Sequence, residues 1–156
     1  MADPDRGAIG LRTPEPQQRT VLAVFAHPDD EVLCAGGTLA LCRADGQRVV
    51  VVCATRGELG PIADPSLVAQ GSSLAEVRER ELHASCTALG IGEVRVLGLP
   101  DAGVDWAAHE QGTLGQLVSL IRRLRPAVIM TFGPDGLYGH PDHVAIGELV
   151  TAARRA

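Results

Sequence analysis

Lysine does not occur in this chain of 156 residues; all fourteen basic side chains are arginine. Its absence excludes a Walker-type phosphate loop, a Schiff-base nucleophile and a Ser-Lys dyad. The Gly-x-Ser-x-Gly nucleophile elbow is missing as well. Four cysteines, Cys34, Cys42, Cys53 and Cys86, lie in apolar segments and never form a Cys-x-x-Cys pair. They read as small buried hydrophobes in a reducing compartment. The net charge is −5 and the arginines are scattered, leaving no continuous basic face for nucleic acid. No segment reaches the length of a membrane span, and residues 1–19, rich in Pro, Asp, Arg and Gln, lack the apolar centre of a signal peptide. A cytoplasmic protein engaging neither nucleic acid nor membrane is expected, with residues 1–19 as a flexible arm.

What is present is a hydrophobic content of 46%, enough for one domain with a real core. Apolar, β-branched runs at Thr20 to Ala26, Arg48 to Cys53, Glu93 to Leu97 and Ala127 to Phe132 read as strands. Helical patterns separate them, from Glu31 to Ala44, Ser73 to Leu89 and Thr113 to Leu124, with a last helix starting near Pro141. Ser73-Leu-Ala-Glu76 is a capping-box pattern and Gly90 a stop signal. Leu114, Leu117, Val118, Ile121 and Leu124 recur at helical spacing as a core face. The alternation predicts an α/β domain with a mostly parallel sheet between helices. Two long connections, Ala54 to Ser72 and Gly98 to Gly112, carry Gly, Pro and acidic residues and are expected to act as mobile binding loops. Gly36-Gly37 is no dinucleotide fingerprint.

The chemistry concentrates at two strand ends. Ala26-His27-Pro28-Asp29-Asp30-Glu31 follows the first strand, and Gly139-His140-Pro141-Asp142-His143 follows a later one. Open sheets of this kind place ligands beyond the carboxyl ends of their strands. Imidazole and carboxylate suit a divalent metal, zinc above all, with iron(II) as the alternative. If His27 and Asp30 are ligands, Asp29 must point elsewhere and is free for proton transfer. Pro141 suits the first turn of a helix whose amino terminus faces the metal. Of His140 and His143, one can ligate while the other, oriented by Asp142, stays charged and donates to an oxyanion.

The paired motifs resemble those of the zinc-dependent N-acetylglucosaminyl deacetylases, the PIG-L or LmbE-like family, with similarity running from Thr20 to Arg155. The resemblance implies a Rossmann-like, three-layer domain over residues 20–156 and a zinc held by His27, Asp30 and His143. It implies further that Asp29 is the general base, His140 the oxyanion partner, Asp142 its orienting residue and Tyr138 a mobile contact to the acetyl group. Arg78, Asp101 and Glu58 match substrate-binding positions. His83 and His109 carry no expected role. Family members continue beyond the His-Pro-Asp-His helix with further strands and a helix, so the domain is expected to lack a carboxyl-terminal part. The expected activity is removal of an acetyl group from an N-acetylglucosamine-type amide, a small-molecule substrate, by a chain compatible with homo-oligomers. The alternatives are amide cleavage on a thiol conjugate of a glucosaminide, or a non-catalytic metal- or nucleotide-binding module.

Overall fold

The computed structural model describes residues 19–62, 64–68 and 71–156. Apart from Arg19, the expected amino-terminal arm lies outside the described residues. Four parallel strands, β1 (Thr20–Phe25), β2 (Arg48–Cys53), β3 (Glu93–Val96) and β4 (Val128–Met130), form one sheet in the order β3-β2-β1-β4. β1 and β2 run in register from Thr20 opposite Arg48 to Phe25 opposite Cys53. Both are buried along five of their six residues, as strands covered on both faces must be. Continuous Val, Leu and Ala runs meet that demand.

β4 pairs only with β1 and is shorter than its apolar run suggests; Val128 on this edge is half exposed. The chain leaves the sheet after Met130. Phe132 instead packs edge-on against Phe25 and stacks on His143, with ring centroids 5.6 and 3.8 Å apart. The expected helix from Glu31 to Ala44 is two helices, α1 (Asp30–Leu33) and α2 (Gly36–Ala44), interrupted at Ala35 (φ −140°, ψ 0°). Two consecutive glycines, each costing about 1 kcal/mol in a helix relative to alanine, make this the weakest point of the run.

α3 (Leu74–Ala88) opens as its sequence demands: Ser73 Oγ accepts from the Glu76 N–H and Glu76 Oε2 from the Ser73 N–H. Gly90, at φ +73°, ends it. The connection from Gly98 to Gly112 is not an open loop. It contains α4 (Val104–Glu110), whose Val104, Ala107 and Ala108 are buried in the main core. α5 (Thr113–Leu124) buries Thr113, Leu117 and Leu120, while Leu114 in its first turn points partly to solvent. A distorted turn, α6 (Gly136–Gly139), leads into α7 (Pro141–Arg155). α7 comes so close to the chain beyond β4 that a Cβ on Gly147 would lie 2.7 Å from the Phe132 carbonyl oxygen.

The strand order reverses at β1, with β2 and β3 on one side and β4 on the other. The crevice at such a switch point is where open α/β sheets bind ligands. The segments following β1 and β4 meet there.

Candidate metal centre

β1 delivers His27 and Asp30 to the switch point, and the first turn of α7 delivers His143. His27 Nδ1 lies 3.3 Å from His143 Nε2 and 3.6 Å from Asp30 Oδ2, and His143 Nε2 lies 3.4 Å from Asp30 Oδ1. All three side chains are buried. Their far sides are already committed. His143 Nδ1 donates to the Gly136 carbonyl at 3.1 Å, and His27 Nε2 donates toward Asp142 Oδ2 and Asp101 Oδ1, each at 3.2 Å. Those bonds fix the tautomers, so both inward nitrogens present lone pairs to each other and to a carboxylate. Such a constellation suits a cation. The two histidine nitrogens are spaced as ligand atoms about 2.0–2.2 Å from one tetrahedral ion would be, about 3.3–3.6 Å, while Asp30 turns a different oxygen to each of them. His140 also brings a ring nitrogen within 4.8 Å of those of His27 and His143.

The electrostatics agree. Burial, the largest influence on His27, pulls it down, but Asp30, Asp142 and Asp101 together outweigh it and raise its pKa above 6.5. The carboxylates therefore favour a proton on His27, which a metal ion bound there would have to displace. At His143 burial wins and lowers the pKa below 6.5, which keeps the imidazole neutral, as a metal ligand must be.

Asp29 and Asp30 diverge as their adjacency requires. Asp30 Oδ2 turns back to accept the His27 N–H at 2.8 Å. Asp29 has a left-handed backbone (φ 108°, ψ −29°), and its carboxylate reaches Arg78 Nη2 at 2.8 Å. Partial burial raises the Asp29 pKa above 3.8, with Arg78 opposing. Arg78 also donates to the carbonyls of Pro28 at 2.6 Å and Gly57 at 2.9 Å. It threads past Gly57 and Gly60, where added Cβ atoms would fall 2.1 and 2.5 Å from the guanidinium.

Asp142 differs from its expected role. Its carboxylate accepts from His27, from the Ala102 N–H at 2.8 Å and from the Val104 N–H at 3.2 Å. His140 meets only the Asp142 backbone, its Nδ1 accepting that N–H at 3.2 Å as the cap of α7. With Nδ1 an acceptor, Nε2 carries the proton, so His140 can donate a hydrogen bond as a neutral ring. Both Asp142 oxygens are instead taken up by the N–H donors of His27, Ala102 and Val104. His27, Asp101 and Asp142 also lie close enough together to hold an ion.

A cavity of about 340 Å³ opens over the centre, lined by His27, Asp29, Arg78, Asp101, Tyr138 and His140, with Leu59 to Pro61 on the far wall. Tyr138, largely exposed, stands at its rim beside the strained Leu137 (φ 69°). Glu58 is not brought into the cavity. Its carboxylate accepts the Asp101 N–H at 3.0 Å while Asp101 Oδ2 accepts the Leu59 N–H at 2.8 Å, a reciprocal clasp between two loops. His83 and His109 are exposed and outside the site. One residue of the first motif had no expected role: Glu31 is 1% exposed and hydrogen-bonded at both carboxylate oxygens. Its partner, Ser85, lies 54 residues away, and no local pattern announces the pairing.

Both the family and the fold find matches among known proteins. The profile of the PIG-L family, described as GlcNAc-PI de-N-acetylase, matches residues 22–154. A 1D-myo-inositol 2-acetamido-2-deoxy-alpha-D-glucopyranoside deacetylase of Actinosynnema mirum is 39% identical over 154 residues, covering 85% of this chain and 54% of that protein. The chain spans about half the length of the curated relatives it matches. Among solved structures, the N,N'-diacetylchitobiose deacetylase of Pyrococcus horikoshii superposes with a TM-score of 0.71 at 29% identity, over 93% of this chain and 52% of that one. The 4-carboxy-2-hydroxymuconate hydratase GalB of Pseudomonas putida superposes with a TM-score of 0.72, also at 29% identity, over 88% and 56%.

Proposed function

The chain belongs to the PIG-L family, and from that premise we propose that it carries the metal centre and proton-transfer groups of an N-deacetylase. The proposed substrate is an N-acetylglucosamine-type amide, with glucosaminyl-inositol the favoured class because the curated relatives bear that name. The thiol-conjugate alternative finds no counterpart among those relatives. The observation that carries the proposal is the convergence of His27 Nδ1, His143 Nε2 and the Asp30 carboxylate at 3.3 to 3.6 Å separations, beside the Asp29 carboxylate, which is paired with Arg78 and lines the same cavity.

We assign His27, Asp30 and His143 as the residues that would hold a divalent ion, zinc by donor type, with iron(II) able to replace it. When bound there, such an ion supplies Lewis acidity, polarising the amide carbonyl and making water a stronger nucleophile at neutral pH. Asp29, aimed into the cavity, takes the proton of the attacking water on its carboxylate. His140 gives its Nε2–H to the oxygen on which negative charge develops, and the amino terminus of α7 adds a favourable field. Asp29 then returns its proton to the leaving amine. Tyr138 closes the rim over the acetyl group. Arg78 and Asp101 line the wall on which the sugar hydroxyls rest, and Glu58 acts one step back by holding Asp101.

Metal analysis coupled to a free-amine assay on a panel of N-acetylated glucosaminides tests this. The expected result is about one metal per chain and amine release that chelation abolishes. GalB supplies a specific second reading, because a hydratase shares this fold. Metal loading without amine release, together with water addition to an unsaturated acid, would decide for it.

A further inference from the structure

Asp29 is held from two sides by one helix. α3 presents Arg78 and Ser85 seven residues apart, two turns along the same face. Arg78 grips the Asp29 carboxylate, and Ser85 donates its hydroxyl hydrogen to Oε1 of Glu31. The other oxygen of that buried carboxylate, Oε2, accepts the Asp29 backbone N–H at 3.0 Å. Asp29 needs such a tether. It sits at φ 108°, a conformation in which a residue with a Cβ is strained and which persists only where the surroundings impose it. Glu31 is itself buried, and its two hydrogen bonds hold it in place.

We propose that Glu31, anchored by Ser85, is a positioning residue for the reaction: it fixes the strained backbone of Asp29 and thereby aims its carboxylate at the water to be activated. The proposal rests on the assignment of Asp29 as the base. Glu31 touches neither substrate nor metal ligand atoms and acts only through its neighbour. Glu31→Gln is the conservative change: its amide oxygen can accept the Asp29 N–H while its NH₂ donates to Ser85, whose hydroxyl hydrogen then turns to the Leu82 carbonyl 3.0 Å away. Glu31→Leu keeps the bulk and removes both acceptors.

The experiment is a double-mutant cycle in the metal-loaded full chain, with amine release as the assay and metal content measured on every variant. Glu31→Leu should lower kcat by about 10²-fold, the scale of an ångström's misplacement of a reacting group, and Glu31→Gln should recover most of that loss. KM should stay within about two-fold and metal content should not change, because neither sugar wall nor ligand set is touched. In the Asp29→Asn background Glu31→Leu should cost nothing further. Ser85→Ala should give a smaller loss in kcat, and Ser85→Thr, which keeps the hydroxyl, should restore most of it; these two carry the test should Glu31→Leu fail to fold. Full kcat in Glu31→Leu or in Ser85→Ala overturns the proposal. So do losses that multiply in the double variant, or a fall in metal content that accounts for the lost rate. An inactive Asp29→Asn beside a fully active Glu31→Leu sinks this proposal alone, whereas a fully active Asp29→Asn sinks the base assignment and this proposal with it.

Discussion

Replacing Asp142 by asparagine separates two accounts of the same residue. The sequence motif suggests that Asp142 orients His140; the structure puts its carboxylate on His27. Oδ2 accepts from His27 Nε2 and the Ala102 N–H, and Oδ1 from the Val104 N–H. An asparagine can keep both bonds at Oδ2 only by turning its NH₂ onto the Val104 N–H. That conflict leaves a buried donor unmet, at about 1–3 kcal/mol, and the two surviving bonds lose charge assistance worth about 1 kcal/mol each. The expected destabilisation is therefore about 3–5 kcal/mol, a large part of the stability of any domain this size. Because His27 also loses its charged outer partner, metal affinity should fall by about 10- to 100-fold. Urea unfolding of the apo protein measures the first quantity and competition with a chromophoric chelator the second. Wild-type stability and metal affinity in Asp142→Asn, with catalysis alone lost, would refute the assignment to His27.

Three further outcomes are expected. Asp29→Asn should keep its metal while losing about 10²- to 10⁴-fold in kcat, whereas Asp30→Asn should lose metal affinity; metal content and turnover on both variants decide, and exchanged phenotypes would exchange the roles. Gly147→Ala should destabilise by about 1–3 kcal/mol despite alanine's better helix propensity, because its Cβ would meet the Phe132 carbonyl at 2.7 Å; a gain in Tm would show that α7 can retreat without cost. With a thiol reagent at pH 8, Cys34 should react in the folded protein while Cys53 and Cys86 wait for denaturant. Burial is the leading cause that raises both of their pKa values, that of Cys86 to about 11. Rapid labelling of all four without urea would contradict the packing of α3 on the sheet.

Most of the parallel architecture could be read from the chain because hydrophobic runs, a capping box and punctuating glycines are local signals. Val49 to Val52 can hardly be anything but a strand buried on both faces, and Ser73 to Glu76 announces the start of α3. The departures arise where tertiary packing overrides local preference. Val104 to Glu110 is short and bounded by glycines, so it reads as loop, yet its alanines fit against the core. β4 ends before Phe132, which turns from the sheet to stack on His143. At the site, residue identity and spacing indicated what converges but not who holds whom. The partners of the Asp142 carboxylate and of Arg78, and Ser85 for Glu31, come from segments tens of residues away, and nothing local encodes those pairings.

The clasp between Glu58 and Asp101 has a consequence for how such a protein can change. Asp101 forms part of the cavity wall and, through its other oxygen, part of the cage around His27. Under the proposed assignment, a substitution there that admits a different sugar also alters the field at His27. Substrate range and metal retention would then be linked traits, and Glu58, which is exposed and holds Asp101 through its backbone N–H, would reach both from outside the cavity.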